Sequence, residues 1–185
     1  MKIWQNFKNF HFNKSLNKGL ISRLKQVSSK SLSFATAKSI AFLFNAEDPE
    51  VISGIEKYAE SLQKKGKTTF LLGLNAASKD IVDTSFPCLN KKNIDWVGRP
   101  IGTLVDEWLN QPVDVVIHVS AQRNELLEYI TALTPAGLRI GPATDNTRCY
   151  DLMLDVPADT TPQSFFKQME NLLGKIQVRN ESTLL

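Results

Sequence analysis

The sequence predicts an α/β protein: a three-layer, doubly wound and mostly parallel sheet of about five strands, flavodoxin-like or Rossmann-like, preceded by a basic helical extension. Three observations carry this. Val113 to Val119 is a nearly continuous apolar, β-branched run, as a strand covered on both faces requires. It is followed by helical periodicity and a returning apolar segment ending at Gly141, so residues 112 to 141 read as one βαβ unit. Residues 39 to 74 repeat that order, and strand and helix patterns alternate through the rest of the chain.

With 185 residues, one domain with a real core is the default. The formal charge of +3 hides an asymmetry: residues 1 to 46 hold eight basic side chains and no Asp or Glu, which leaves −5 for the remainder. Three segments follow: a basic amphipathic extension over 1–37, the α/β domain over 38–177 and a polar tail over 178–185. Within the extension, Ile3, Trp4, Phe7 and Phe10 have helical spacing, and Leu16, Leu20, Ile21, Leu24 and Val27 repeat it, which predicts two short helices. The Ser- and Lys-rich stretch Gln26 to Ala37 reads as a linker or a docked extended segment.

In the domain, Ser39 to Asn45 is the first strand, and Asp48-Pro49 marks a capped helix start. Val51, Ile52, Ile55, Tyr58, Ala59 and Leu62 give that helix its inner face, and Lys64-Lys65-Gly66 closes it. Lys67 to Leu74 is the second strand. Asn75 to Pro100 is irregular, with at most one short strand, and longer than an ordinary loop. A helix with Ile101, Leu104, Val105, Trp108 and Leu109 on one face follows, then the 112–141 unit, whose helix buries Leu126, Leu127, Ile130 and Leu133. Tyr150 to Val156 is the last strand. The final helix turns Phe165, Phe166, Met169, Leu172, Leu173 and Ile176 inward.

Cys88 and Cys149 have neither metal nor redox-pair spacing and read as two reduced thiols. The first ten residues lack the apolar stretch of a secretory signal, and Arg23 alone is too little arginine for a transit peptide. No segment has the run of about 18 apolar residues that a membrane span needs. A cytoplasmic protein, peripheral to a membrane or the ribosome, is the expectation.

Ligands of such sheets bind beyond the carboxyl ends of the strands. There the sequence offers Asn45, His118, Ser120 and Arg123 as ligand-edge candidates. His118 and Ser120 could pair a base with a nucleophile, but no nucleophile elbow surrounds Ser120, and the other histidine, His11, lies in the extension. A hydrogen-bonded structural histidine is the favoured reading. The turn after the first strand holds acids and no glycine-rich cradle, and no ligand set for zinc exists, so neither a cofactor nor a metal is expected. Arg123 could hold an anion, against the plainer reading of a solvated arginine. Trp96, in Trp-Val-Gly-Arg-Pro, belongs either to a partner-binding loop or to a lid over the core.

The extension is the strongest functional signal. Lys2, Trp4, Lys8, Lys14, Lys18, Arg23, Lys25 and Lys30 are its polyanion-binding candidates. The expectation is a non-catalytic interaction module anchored to RNA or the ribosome first and an anionic membrane second. A small-ligand enzyme or sensor at the His118–Arg123 edge and a structural subunit with a protein partner are the alternatives. Equally open is that the extension packs its apolar face on its own domain.

The runs Lys38 to Glu50 (KSIAFLFNAEDPE), Asn93 to Pro100 (NIDWVGRP), Pro112 to Ser120 (PVDVVIHVS) and Ile130 to Gly141 (ITALTPAGLRIG) resemble an uncharacterised family of small Bacteroidota proteins. That resemblance implies a bacterial, cytoplasmic setting and no chemistry. Asp114 to Ser120 and Ala136 to Gly141 are also similar to the amino-terminal half of heptosyltransferase-type glycosyltransferases, but too little chain follows Gly141 for the nucleotide-sugar half.

Overall fold

The computed structural model describes residues 2–24, 34–77 and 84–182. Its centre is one all-parallel six-stranded sheet. The strands are β1 (Ser39–Asn45), β2 (Thr68–Leu74), β3 (Cys88–Leu89), β4 (Val113–Val119), β5 (Ala136–Pro142) and β6 (Leu152–Leu154), in the spatial order β3-β2-β1-β4-β5-β6. This is the order of dinucleotide-binding sheets, and without the two-residue β3 the rest would read as the flavodoxin order. Both expected architectures are therefore present in one sheet, with one strand more than expected.

Among the described residues five α-helices accompany it: α1 (Lys2–Leu24), α2 (Pro49–Lys64), α3 (Thr103–Asn110), α4 (Glu125–Leu133) and α5 (Pro162–Ser182). On one face, Ile55, Ala59 and Leu62 of α2 and Phe165, Phe166 and Met169 of α5 pack on Ile40, Phe42, Phe44, Val115, Ile117 and Val119. On the other, Val105 and Trp108 of α3 and Leu126, Leu127 and Ile130 of α4 cover Ala41, Leu43, Leu72 and Val116. The two sets alternate along β1 and β4, as the period of two in a strand demands. That is why both strands read as nearly continuous apolar runs.

The inner edge of β1 is fixed by Asp114, whose carboxylate accepts the N–H groups of Lys38 (2.7 Å) and Ser39 (3.0 Å). Burial works to raise the Asp114 pKa, but these hydrogen bonds outweigh it and hold the carboxyl below its ordinary value. Lys67 donates to the carbonyls of Ala35 and Ala37, which ties the approach to β1 against the start of β2.

Several expectations need correction. The extension forms one helix through Leu24 rather than two short ones, with no proline between Lys2 and Leu24 to interrupt it. Phe12, Leu16 and Leu20, four residues apart, face Tyr129, Ala132 and Leu133 of α4. A Cβ at Gly19 would collide with Leu133, so the glycine sets how closely α1 approaches α4. Much of the 26–37 linker, with Lys25 and Lys30, lies outside the described residues. Ile176 is exposed, and α5 continues to Ser182, past the expected start of the polar tail at residue 178. Ile101 precedes its helix and is exposed, and the last strand is only Leu152–Leu154, leaving Tyr150 in the loop before it.

Candidate functional site

In the order β3-β2-β1-β4-β5-β6 the chain winds outward in both directions from the β1/β4 pair, so the connections leaving these strands part to opposite faces. A crevice of about 440 Å³ opens at their carboxyl ends. One wall is the turn from β1 into α2, with Asn45, Glu47, Asp48 and Val51; the other is the turn from β4 into α4, with Ser120, Gln122, Arg123 and Asn124. Val119, Leu127 and Phe165 make an apolar floor, and Ala158 and Thr160, before α5, close one side.

The local sequence dictates these turns. Asn45 Oδ1 accepts the Glu47 N–H (3.1 Å), and Asp48 Oδ1 accepts the Glu50 N–H (2.8 Å) as the cap of α2. Asn124 Oδ1 accepts the N–H groups of Leu126 and Leu127, both at 3.1 Å, as the cap of α4. Ser120 Oγ donates to the Gln122 carbonyl (2.6 Å) and accepts the Gln122 N–H (3.0 Å).

Asn45, Ser120 and Arg123 are thus brought together on one crevice, and His118 is not. His118 is wholly buried on the α4 side of the sheet, with Nδ1 2.6 Å from the Tyr150 hydroxyl. Burial holds its imidazole down to about pKa 3, so the ring is neutral, while burial and then the Glu128 carboxylate push the Tyr150 phenol well above its ordinary range. The geometry of a base beside the Ser120 nucleophile is not formed, and the hydrogen-bonded histidine is the arrangement observed.

Beside this pair lies Glu128, which is 2% exposed. Arg123 bridges from the crevice to it (Nε to Oε2, 3.4 Å) and to Glu125 (Nη2 to Oε1, 3.5 Å). Burial raises the Glu128 pKa against the pull of Arg123 and the Thr144 hydroxyl. Glu128 Oε1 and His118 Nε2 are buried without a hydrogen-bond partner. Among the described residues no group of three or more His, Cys, Asp or Glu could hold a metal ion.

A second surface lies on the amino-terminal half of α1. Trp4 (58% exposed) stacks on Trp96 (56% exposed) with centroids 5.8 Å apart and planes at 29°. Lys8 Nζ lies 6.0 Å from the Trp4 ring, Lys14 Nζ the same distance from the exposed Phe10 ring, and His11 6.5 Å from Trp96. Trp96 is presented by a rigid turn. Asp95 accepts the N–H groups of Val97 (3.0 Å) and Arg99 (2.9 Å) and the Arg99 Nε (2.7 Å), and Gly98 takes φ 95°, which glycine adopts without strain. Of the two readings of Trp96, the lid over the core is not the arrangement observed, since the ring is exposed. Lys18 is exposed on the same helix, and α1 also carries Lys2 and Arg23.

A family profile spans residues 8–176, from the first third of α1 to within α5. The chain belongs to DUF6913, a family of unknown function. No curated protein and no solved structure matches it. Most of α1 falls inside the DUF6913 match, as its buried Leu16 and Leu20 require of an integral part of the domain. Among the described residues no helix is long and apolar enough to cross a membrane.

Sequence reasoning did not single out Glu128, which looks like an ordinary outward charge on a helix until the 143–150 loop folds over it. Nor did it find Ala158 and Thr160, which reach the crevice only through the path of the chain into α5. Trp96 was legible as a candidate. Its pairing with Trp4 rests on a contact between distant segments.

Proposed function

We propose that this DUF6913 member is a non-catalytic interaction module that binds single-stranded RNA, free or on the ribosome, through the face built by α1 and the Trp96 turn. The observation that carries the reading is the exposed Trp4–Trp96 stack with Lys8 and Lys14 beside exposed rings. Aromatic faces accept any base, and lysines follow the phosphate backbone. An acid-free α1 on a negatively charged body concentrates this attraction in one place. A cytoplasmic, bacterial setting fits the reading. The likeness of β4 and β5 to heptosyltransferase-type enzymes adds a fold-level expectation only; Asp114 stands at the opposite end of β4 from the crevice.

The test uses point variants, because deleting α1 would uncover Tyr129, Cys149 and Tyr150. Anisotropy titrations with a labelled oligouridylate at two salt concentrations are expected to show binding that weakens as salt rises. Trp4→Ala with Trp96→Ala should weaken it at least about ten-fold, given roughly 1–3 kcal/mol per stacked base. Lys8→Glu with Lys14→Glu should flatten the salt dependence. If the RNA does not bind and vesicles containing phosphatidylglycerol do, the surface is a membrane contact and the proposal fails.

A further inference from the structure

We infer that the crevice between the β1–α2 and β4–α4 turns is a binding site for a small zwitterion, a free α-amino acid with an apolar side chain. Its volume of about 440 Å³ is within the range of small-ligand pockets. The charged residues that line the two walls are of opposite sign: Glu47 and Asp48 ahead of α2, Arg123 ahead of α4. These helices pack on opposite faces of the sheet, so the charges stand across the opening from one another. Between them Val119, Leu127 and Phe165 supply an apolar floor.

An ammonium group fits the acidic wall. Asp48 spends Oδ1 on its cap, which leaves Oδ2 for a ligand, whereas Glu47 Oε1 also accepts the Ala77 N–H. A carboxylate fits Arg123, whose contacts to Glu125 and Glu128 are long, at 3.5 and 3.4 Å, and do not engage Nη1. Phosphate-bearing ligands are disfavoured on two counts. The N–H groups that would cradle a phosphate at both helix starts are already taken by Asp48 and Asn124, and two carboxylates would face it.

Calorimetric titration of the full chain with L-leucine and L-phenylalanine tests this, with N-acetyl-L-leucine, L-leucinamide and ATP as comparisons. Saturable binding of at least one free amino acid is expected, at least ten-fold tighter than either blocked form or ATP. Asp48→Asn keeps the cap acceptor and removes the charge; Arg123→Gln removes the other. Each should weaken binding at least ten-fold. Should Arg123→Gln unfold the chain by stranding Glu128, Ala158→Trp, which fills the mouth from an exposed position, should abolish binding with the melting temperature unchanged. Trp4→Ala with Trp96→Ala should leave binding intact, which separates this site from the RNA-binding face. Failure of both free amino acids to bind, equal binding of the blocked forms, tighter binding of ATP, or indifference to Asp48→Asn would each overturn the inference.

Discussion

Gly141→Ala is expected to lower the unfolding free energy by about 3 kcal/mol or more, which few single methyl additions do. Gly141 lies in β5 directly under the Tyr150 ring, and an added Cβ would come within 3.0 Å of three ring atoms. The ring cannot step aside. Its hydroxyl is held by His118 Nδ1 at 2.6 Å, and Leu16 and Leu20 of α1 share its apolar cluster. Displacing it would add overpacking, about 1–3 kcal/mol, to a stranded imidazole nitrogen, about 1–3 kcal/mol. Urea denaturation measures the effect, and a double-mutant cycle assigns it: in a Tyr150→Ala background the Gly141→Ala change should cost far less. A midpoint for Gly141→Ala close to that of the native chain would refute the account.

Acidification should destabilise the chain through His118. The sign follows from the proton balance. The unfolded imidazole binds a proton below about pH 6.5 and the folded one only below about 3, so in that window the unfolded state holds the extra proton. Stability then falls by about 1.4 kcal/mol for each unit the pH drops, from this group alone. Glu128 acts in the opposite sense: its raised pKa makes the folded state take up a proton first, so acidification relieves the cost of its buried charge. Asp95 and Asp114, both lowered, contribute stability that is lost only as pH falls through their folded values, below 3.8. Unfolding midpoints from pH 7 to pH 4 should therefore slope more steeply in Glu128→Gln than in the native chain, and be nearly flat in His118→Gln with Glu128→Gln. An unchanged slope on removing His118 would sink the assignment.

The central sheet was legible because β1 and β4 are buried on both faces, and even with Asp114 and His118 in β4 their apolar residues outnumber the polar ones. α2 was legible because Asp48 and Pro49 announce its start and Gly66 its end. The edge strands were harder: two or three residues, as in β3 and β6, cannot display a period, and they exist only because a neighbour offers hydrogen-bonding groups. α1 was divided in two because Phe10 and Ile21 point away from the side that buries Leu16 and Leu20, which breaks the pattern expected of a helix with one apolar face. For the crevice, Asn45, Ser120 and Arg123 could be named from the rule that strand ends bear ligands. The rule could not say that β1 and β4 are neighbours, and it gave His118 the same standing as Ser120. Only the direction of its side chain, inward beneath α4 and bonded to a tyrosine 32 residues later, separates the two.

The seating of α1 on the domain turns a thiol into a clock. Cys149 has no exposed surface, shares its cluster with Leu16 and Leu20, and has its pKa pushed up to about 11, chiefly by burial. An alkylating reagent in neutral buffer therefore meets neither an open path nor a thiolate while α1 and the 143–150 loop stay packed on α4. The rate of Cys149 modification is therefore expected to rise with any change that loosens the seat of α1 on the domain.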